Sequence, residues 1–165
     1  MFRYVYNMKE VHQTLHLPAI DNYKKDELLS KKLQEEGNVF YNGKKLKEAL
    51  EKYNKSILLA PHPNLSCEEI DANVYTTLGL GYGKRSAVLF ELQEYEKCIC
   101  DIDRSLNLCN SKITQFKLEE RKIKCLIAIG NYKEAQELWI NINALLTTLK
   151  IEDIFKNCYK KSLSK

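Results

Sequence analysis

Two short stretches, Gln93-Glu94-Tyr95-Glu96-Lys97-Cys98 and Asn131-Tyr132-Lys133-Glu134-Ala135, are near copies of one another. Each closes one segment of helical apolar period and opens the next, so the chain reads as successive helix pairs joined by tight turns. Residues 30–63 carry the fullest version of the unit. Leu33, Gly37 and Phe40 lie on a first helix, Ala49 and Tyr53 on a second, and Pro61 follows. Small residues let two helices cross closely, and aromatic rings fill the space between turns. A second unit places Tyr82, Ser86, Leu89, Tyr95, Cys98 and Ile102 in corresponding positions. A third does so with Leu126, Gly130, Tyr132, Ala135 and Trp139. The small residues of the second helices are separated by 98 − 49 = 49 and 135 − 98 = 37 residues.

The periodicity predicts helices over residues 25–41 and 45–59, with Asn42-Gly43 as a turn between them. Pro61-His62-Pro63 ends the second, because proline cannot donate the helical hydrogen bond and restricts the residue before it. Ser66 and Glu69 form a capping box, which predicts a helix, interrupted or continuous, from there to residue 92. Helices over 94–108, 111–129 and 132–148 follow, then a short one over 151–159 and a frayed tail. The expected organisation is an N-terminal extension over 1–24, a repeat domain over 25–148, and a C-terminal helix with its tail over 149–165. Tyr95, Ile99, Ile102 and Leu106 are expected in the core, as is Trp139 with Leu138 and Leu145. No segment alternates as a strand would.

Composition narrows the functional classes. The chain has 44% hydrophobic and 29% charged residues with only 3 Pro, too apolar for intrinsic disorder. No apolar run reaches the roughly 18 residues that span a membrane. The first residues lack the basic flank and apolar core of a secretory signal, so a cytoplasmic location, with the nucleus as a second, is expected. Six scattered cysteines without a C-x-x-C pair read as packed, reduced thiols. A net charge of +4 is too mild to imply nucleic-acid binding.

Three decoys carry little. His12 and His16 share a helix face, but zinc needs three or four ligands and no third stands nearby. Gly79-Leu80-Gly81-Tyr82-Gly83-Lys84-Arg85-Ser86 misses the phosphate-binding pattern, since Arg85 stands where Ser or Thr must follow the lysine and Leu78 where the first glycine belongs. Cys98 and Cys100 are two apart on a helix and point to different faces. Neither a metal nor a cofactor is expected, and no catalytic constellation stands out.

The repeat unit resembles the tetratricopeptide motif, which implies an all-α superhelix of three helix pairs plus flanking helices. Glu36-Gly37-Asn38, a long insert, residues 84–90 with 94–98, and residues 120–126 together resemble the tetratricopeptide region of the SET- and MYND-domain lysine methyltransferases, fourth-member subfamily. That likeness covers roughly residues 25–140. The 165 residues hold neither the Cys/His cluster of a MYND module nor a SET-like motif, so methyltransferase activity is not carried over. Peptide-binding tetratricopeptide proteins grip a terminal carboxylate with a clamp of two lysines, two asparagines and an arginine. The resemblance places that clamp at Gln34, Asn38, Lys84, Lys117 and Arg121. Asn38, Lys117 and Arg121 match it; Gln34 replaces a lysine and Lys84 an asparagine. The implied function is a protein-interaction module, not an enzyme, holding an acidic or C-terminal segment such as a heat-shock chaperone's C-terminus. The alternative is the docking part of a longer methyltransferase.

Overall fold

A computed structural model describes residues 24–61, 76–108 and 111–149, with side chains through residue 144. Among the described residues there are six helices and no strand: α1 Glu27–Asn42, α2 Leu46–Leu59, α3 Thr77–Glu91, α4 Tyr95–Leu106, α5 Lys112–Ala128 and α6 Tyr132–Leu149. The Asp26 carboxylate caps α1 by accepting from the Leu29 amide, and the Thr76 hydroxyl caps α3 by accepting from Gly79. Ser66 and Glu69, the expected capping box, lie outside the described residues. So do His12, His16 and the short helix expected over 151–159.

The three turns inside the pairs are built alike. Backbone amides of Lys45, Glu94 and Asn131 each bond back five residues, to the carbonyls of Phe40, Leu89 and Leu126. This six-to-one bond needs a left-handed residue just before the donor, and Lys44, Gln93 and Gly130 have φ of 58°, 61° and 81°. Gly130 therefore fills a turn position and is not the counterpart of Gly37. Counting 135 − 12 from Ala135, as 49 − 12 reaches Gly37, puts Ile123 at that counterpart.

Pairs α1/α2, α3/α4 and α5/α6 stack in chain order, with α2 on α3 and α4 on α5. The leading helices also touch one another, α1 against α3 and α3 against α5, and so form one continuous wall. Ala49, Cys98 and Ala135 are all buried where the helices cross. Ser30 Oγ donates to Ser56 O at 2.9 Å, and 49 residues later Ser105 Oγ donates to Gly79 O at 2.9 Å. In the third pair the equivalent positions are apolar: Phe116 packs against the buried cluster that contains Ile142.

The core follows the expected stripe in α4. Ile102 is fully buried, and Tyr95, Ile99 and Leu106 pack against its cluster. Trp139 departs from expectation: it is 51% exposed. Ala135, Leu138 and Ile142 turn α6 inward. Trp139 lies on a neighbouring face with the exposed Tyr132 and Ile140, because one helix cannot turn all its apolar residues toward a single partner.

Candidate peptide groove

The residues of interest sit on the leading helices, which the stacking places side by side. On α1, Gly37 has no side chain because Tyr53 lies directly over it. A Cβ there would stand 2.5 Å from Tyr53 Cε1. That close approach lets the Tyr53 hydroxyl reach past the backbone and donate to Asn38 Oδ1 at 2.8 Å. Burial of the phenol pushes its pKa up to about 12, so it stays a donor at neutral pH. Asn38 is half-buried, and its two amide N–H donors are not used by this bond.

Gln34 occupies a different place. It is 2% exposed, and its Nε2 donates to Thr77 O at 2.8 Å, tying α1 to the start of α3. A lysine there would bury an ammonium, which explains the glutamine and takes this side chain off the open wall. Gly81 faces it across a tight crossing, where a Cβ would come within 2.9 Å of Ile57 Cγ1. Gly81 thus serves close helix packing.

Lys84 on α3 is half-buried, and desolvation lowers its pKa, opposed by Glu35 on α1. On α5, Arg121 Nη1 donates to Gly83 O at 3.1 Å and to Ser86 Oγ at 2.8 Å. The guanidinium is thereby docked on the residue preceding Lys84. Lys117 lies one turn before Arg121 and is exposed. Among the described residues, Lys84, Lys117 and Arg121 form no ion pair. The other cations of this stretch are engaged: Lys122 with Asp103 at 2.7 Å, and Lys124 with Glu120 at 2.7 Å. Asn38, Lys84, Lys117 and Arg121 thus lie on adjoining helices, while Gln34 is turned inward.

Behind this wall is a buried ion pair. Arg85 grips Asp101 with two bonds, at 2.6 and 2.8 Å, and reaches Asn54 Oδ1 at 2.9 Å. It joins α2, α3 and α4. Cys98 and Cys125 lie with sulfurs 3.4 Å apart between α4 and α5, and Cys98 donates to Ser86 O at 3.1 Å. Hydrogen bonding with Cys125, then burial, raises the Cys98 pKa, so it stays a thiol. Among the described residues no group of three or more His, Cys, Asp or Glu could hold a metal, and no helix is long and apolar enough to cross a membrane.

The residue pattern gave no sign of the hydroxyls behind Asn38 and Arg121. Tyr53 and Ser86 both stood in the repeat as packing positions, and only the repeat register could have placed them next to the groove.

No protein-family model matches the chain. It is 34% identical over 104 residues to protein-lysine N-methyltransferase SMYD4 of Pongo abelii, a match spanning 63% of this chain and 12% of that relative. The chain is thus homologous to SMYD4 over part of its length, and spans 12–15% of the SMYD4 relatives from three mammals. Among solved structures, the TPR2AB domain of yeast Sti1, in its complex with pHSP90, aligns with a TM-score of 0.59 at 18% identity, covering 93% of this chain and 52% of that one. The first TPR domain of Spaghetti (RPAP3), bound to the HSP90 peptide SRMEEVD, aligns at 0.56 and 17%, covering 84% and 99%. The fold is the tetratricopeptide superhelix.

Proposed function

We propose that the chain is an interaction module that binds an acidic or C-terminal peptide segment along the wall formed by α1, α3 and α5. One observation carries the reading. Lys84, Lys117 and Arg121 lie on adjoining leading helices and form no ion pair among the described residues, whereas Lys122 and Lys124 on the same helix as Lys117 and Arg121 are paired. Charged side chains held this way recognise carboxylates through charge-assisted hydrogen bonds. The Spaghetti domain holds an acidic peptide on the same fold, which supports the peptide class and makes a chaperone C-terminus a candidate. The departures at Gln34 and Lys84 shift positive charge from the first repeat to the second and so favour an anion lying between α3 and α5.

The test is fluorescence anisotropy with labelled SRMEEVD and an amidated, charge-neutral control. The wild-type chain binds the acidic peptide, and K117E/R121E weakens binding at least about tenfold with far-UV helicity unchanged. Failure of the wild type to bind, or equal affinity of the double variant, contradicts the reading.

The partial homology to SMYD4 favours a second reading, in which these residues are the docking region of a longer methyltransferase. A downstream coding segment with a Cys-rich zinc module would support it. Transcript sequencing that finds a stop codon directly after residue 165 would remove it.

A further inference from the structure

Both groove ligands with defined internal bonds are held from behind by a buried hydroxyl on a neighbouring helix. Tyr53 is 2% exposed and Ser86 fully buried. We propose that Tyr53 and Ser86 are positioning residues of the groove, fixing the Asn38 amide and the Arg121 guanidinium in the orientations that receive the ligand's anionic groups. The inference deepens the peptide reading and rests on it for its binding arm.

The donor arithmetic carries the argument. A serine hydroxyl has one proton, and Ser86 Oγ donates it to Gly83 O at 2.8 Å. Its lone pairs then face Arg121 Nη1, which donates at 2.8 Å. The same Nη1 also donates to Gly83 O at 3.1 Å, so one guanidinium nitrogen is fixed by two acceptors in a fixed frame. Because the guanidinium is planar, pinning one nitrogen sets the direction of the edge formed by Nη2 and Nε. That edge can meet a carboxylate in a bidentate pair. Ser86 is itself held, since its carbonyl accepts from the Cys98 thiol.

The other wall works the same way. The Tyr53 ring is wedged against Gly37 and cannot swing. Its hydroxyl donates to Asn38 Oδ1, so the carbonyl end of the amide is turned toward α2 and the NH2 end is directed away from it. Loss of the Tyr53 hydroxyl removes the bond that orients the Asn38 amide, and loss of the Ser86 hydroxyl leaves Arg121 Nη1 with the longer bond to Gly83 O alone, so each side chain stays in place but is held less firmly. Affinity then falls because ordering that side chain must happen on binding.

Binding of labelled SRMEEVD to wild type, Y53F, S86A, N38A, R121A, Y53F/N38A and S86A/R121A gives two double-mutant cycles. Recording 15N relaxation of the Arg121 Nε–H and the Asn38 side-chain amide, without peptide, adds a readout independent of the ligand. Y53F and S86A are each expected to weaken binding about three- to tenfold, and to cost nothing further once Asn38 or Arg121 is already alanine. Arg121 Nε–H becomes mobile in S86A, and the Asn38 amide in Y53F. A merely structural role predicts equal losses in both backgrounds and unchanged side-chain order. Either result overturns the positioning assignment while leaving peptide binding intact. If the wild type binds no peptide, the peptide reading falls, and the relaxation data still decide whether the hydroxyls hold the two side chains.

Discussion

At Gly37 a hydrogen stands where every other residue would place a carbon 2.5 Å from the Tyr53 ring. Alanine would gain about 1 kcal/mol in helix propensity, but overpacking costs about 1–3 kcal/mol, and the atom in its way is a ring buried on all sides. G37A is therefore expected to lower unfolding free energy in a denaturant titration, and also to weaken peptide binding, since the ring carries the hydroxyl that holds Asn38. A variant as stable as wild type would refute this packing account. Lys84 supplies a second prediction. Burial lowers its pKa, and only the charged form attracts an anion. Affinity is thus retained below that lowered pKa and lost as pH rises through it, at a lower pH than an ordinary exposed lysine would give. K84R, which stays protonated, is expected to remove this early loss. A pH profile identical in both proteins would exclude Lys84 from the site. The small residues at 37 and 49 were legible from spacing, and the resemblance supplied 38, 84, 117 and 121 as the ligands the proposal uses. Gln34 was legible only as a departure, because spacing alone does not say that its amide turns inward to the Thr77 carbonyl.

The helices themselves are fixed by their turns and by polar contacts between them. Boundaries expected from periodicity fall within two residues at most ends of α1, α2, α4, α5 and α6, since apolar spacing and the repeated left-handed turn both report on them. The start of α3 was not legible. Thr76 caps it, inside the stretch over which an interrupted or continuous helix was expected, while the capping box expected at Ser66 and Glu69 lies outside the described residues. The buried pair of Arg85 and Asp101 was likewise hidden, because sixteen residues separate its members. It joins α2, α3 and α4, with Asp101 only 2% exposed. D101A leaves Arg85 buried without its counter-ion and is expected to destabilise by about 3–5 kcal/mol. R85M/D101L, which removes both charges, is expected to recover most of that loss. Equilibrium urea unfolding decides between them. A cost for D101A below about 1 kcal/mol would mean the pair is solvated rather than buried.

Across the whole molecule, three helix pairs of unequal spacing produce one wall, because the register of small residues is kept while the connections between pairs vary. The all-α repeat architecture and its number of pairs were legible from that register. Exposure was less so: Trp139 carries the aromatic of the third unit yet stands half in solvent beside Tyr132 and Ile140, because burial depends on what covers a helix and not on its own pattern. The central claim is that α1, α3 and α5 together face one ligand. Mapping amide and side-chain shifts of the labelled protein on titration with SRMEEVD tests it directly. The changes are expected to gather on Asn38, Lys84, Lys117 and Arg121 and their helix neighbours, sparing the outer faces of α2, α4 and α6. Changes concentrated on the α6 face around Trp139 and Ile140, with the leading helices silent, would contradict it.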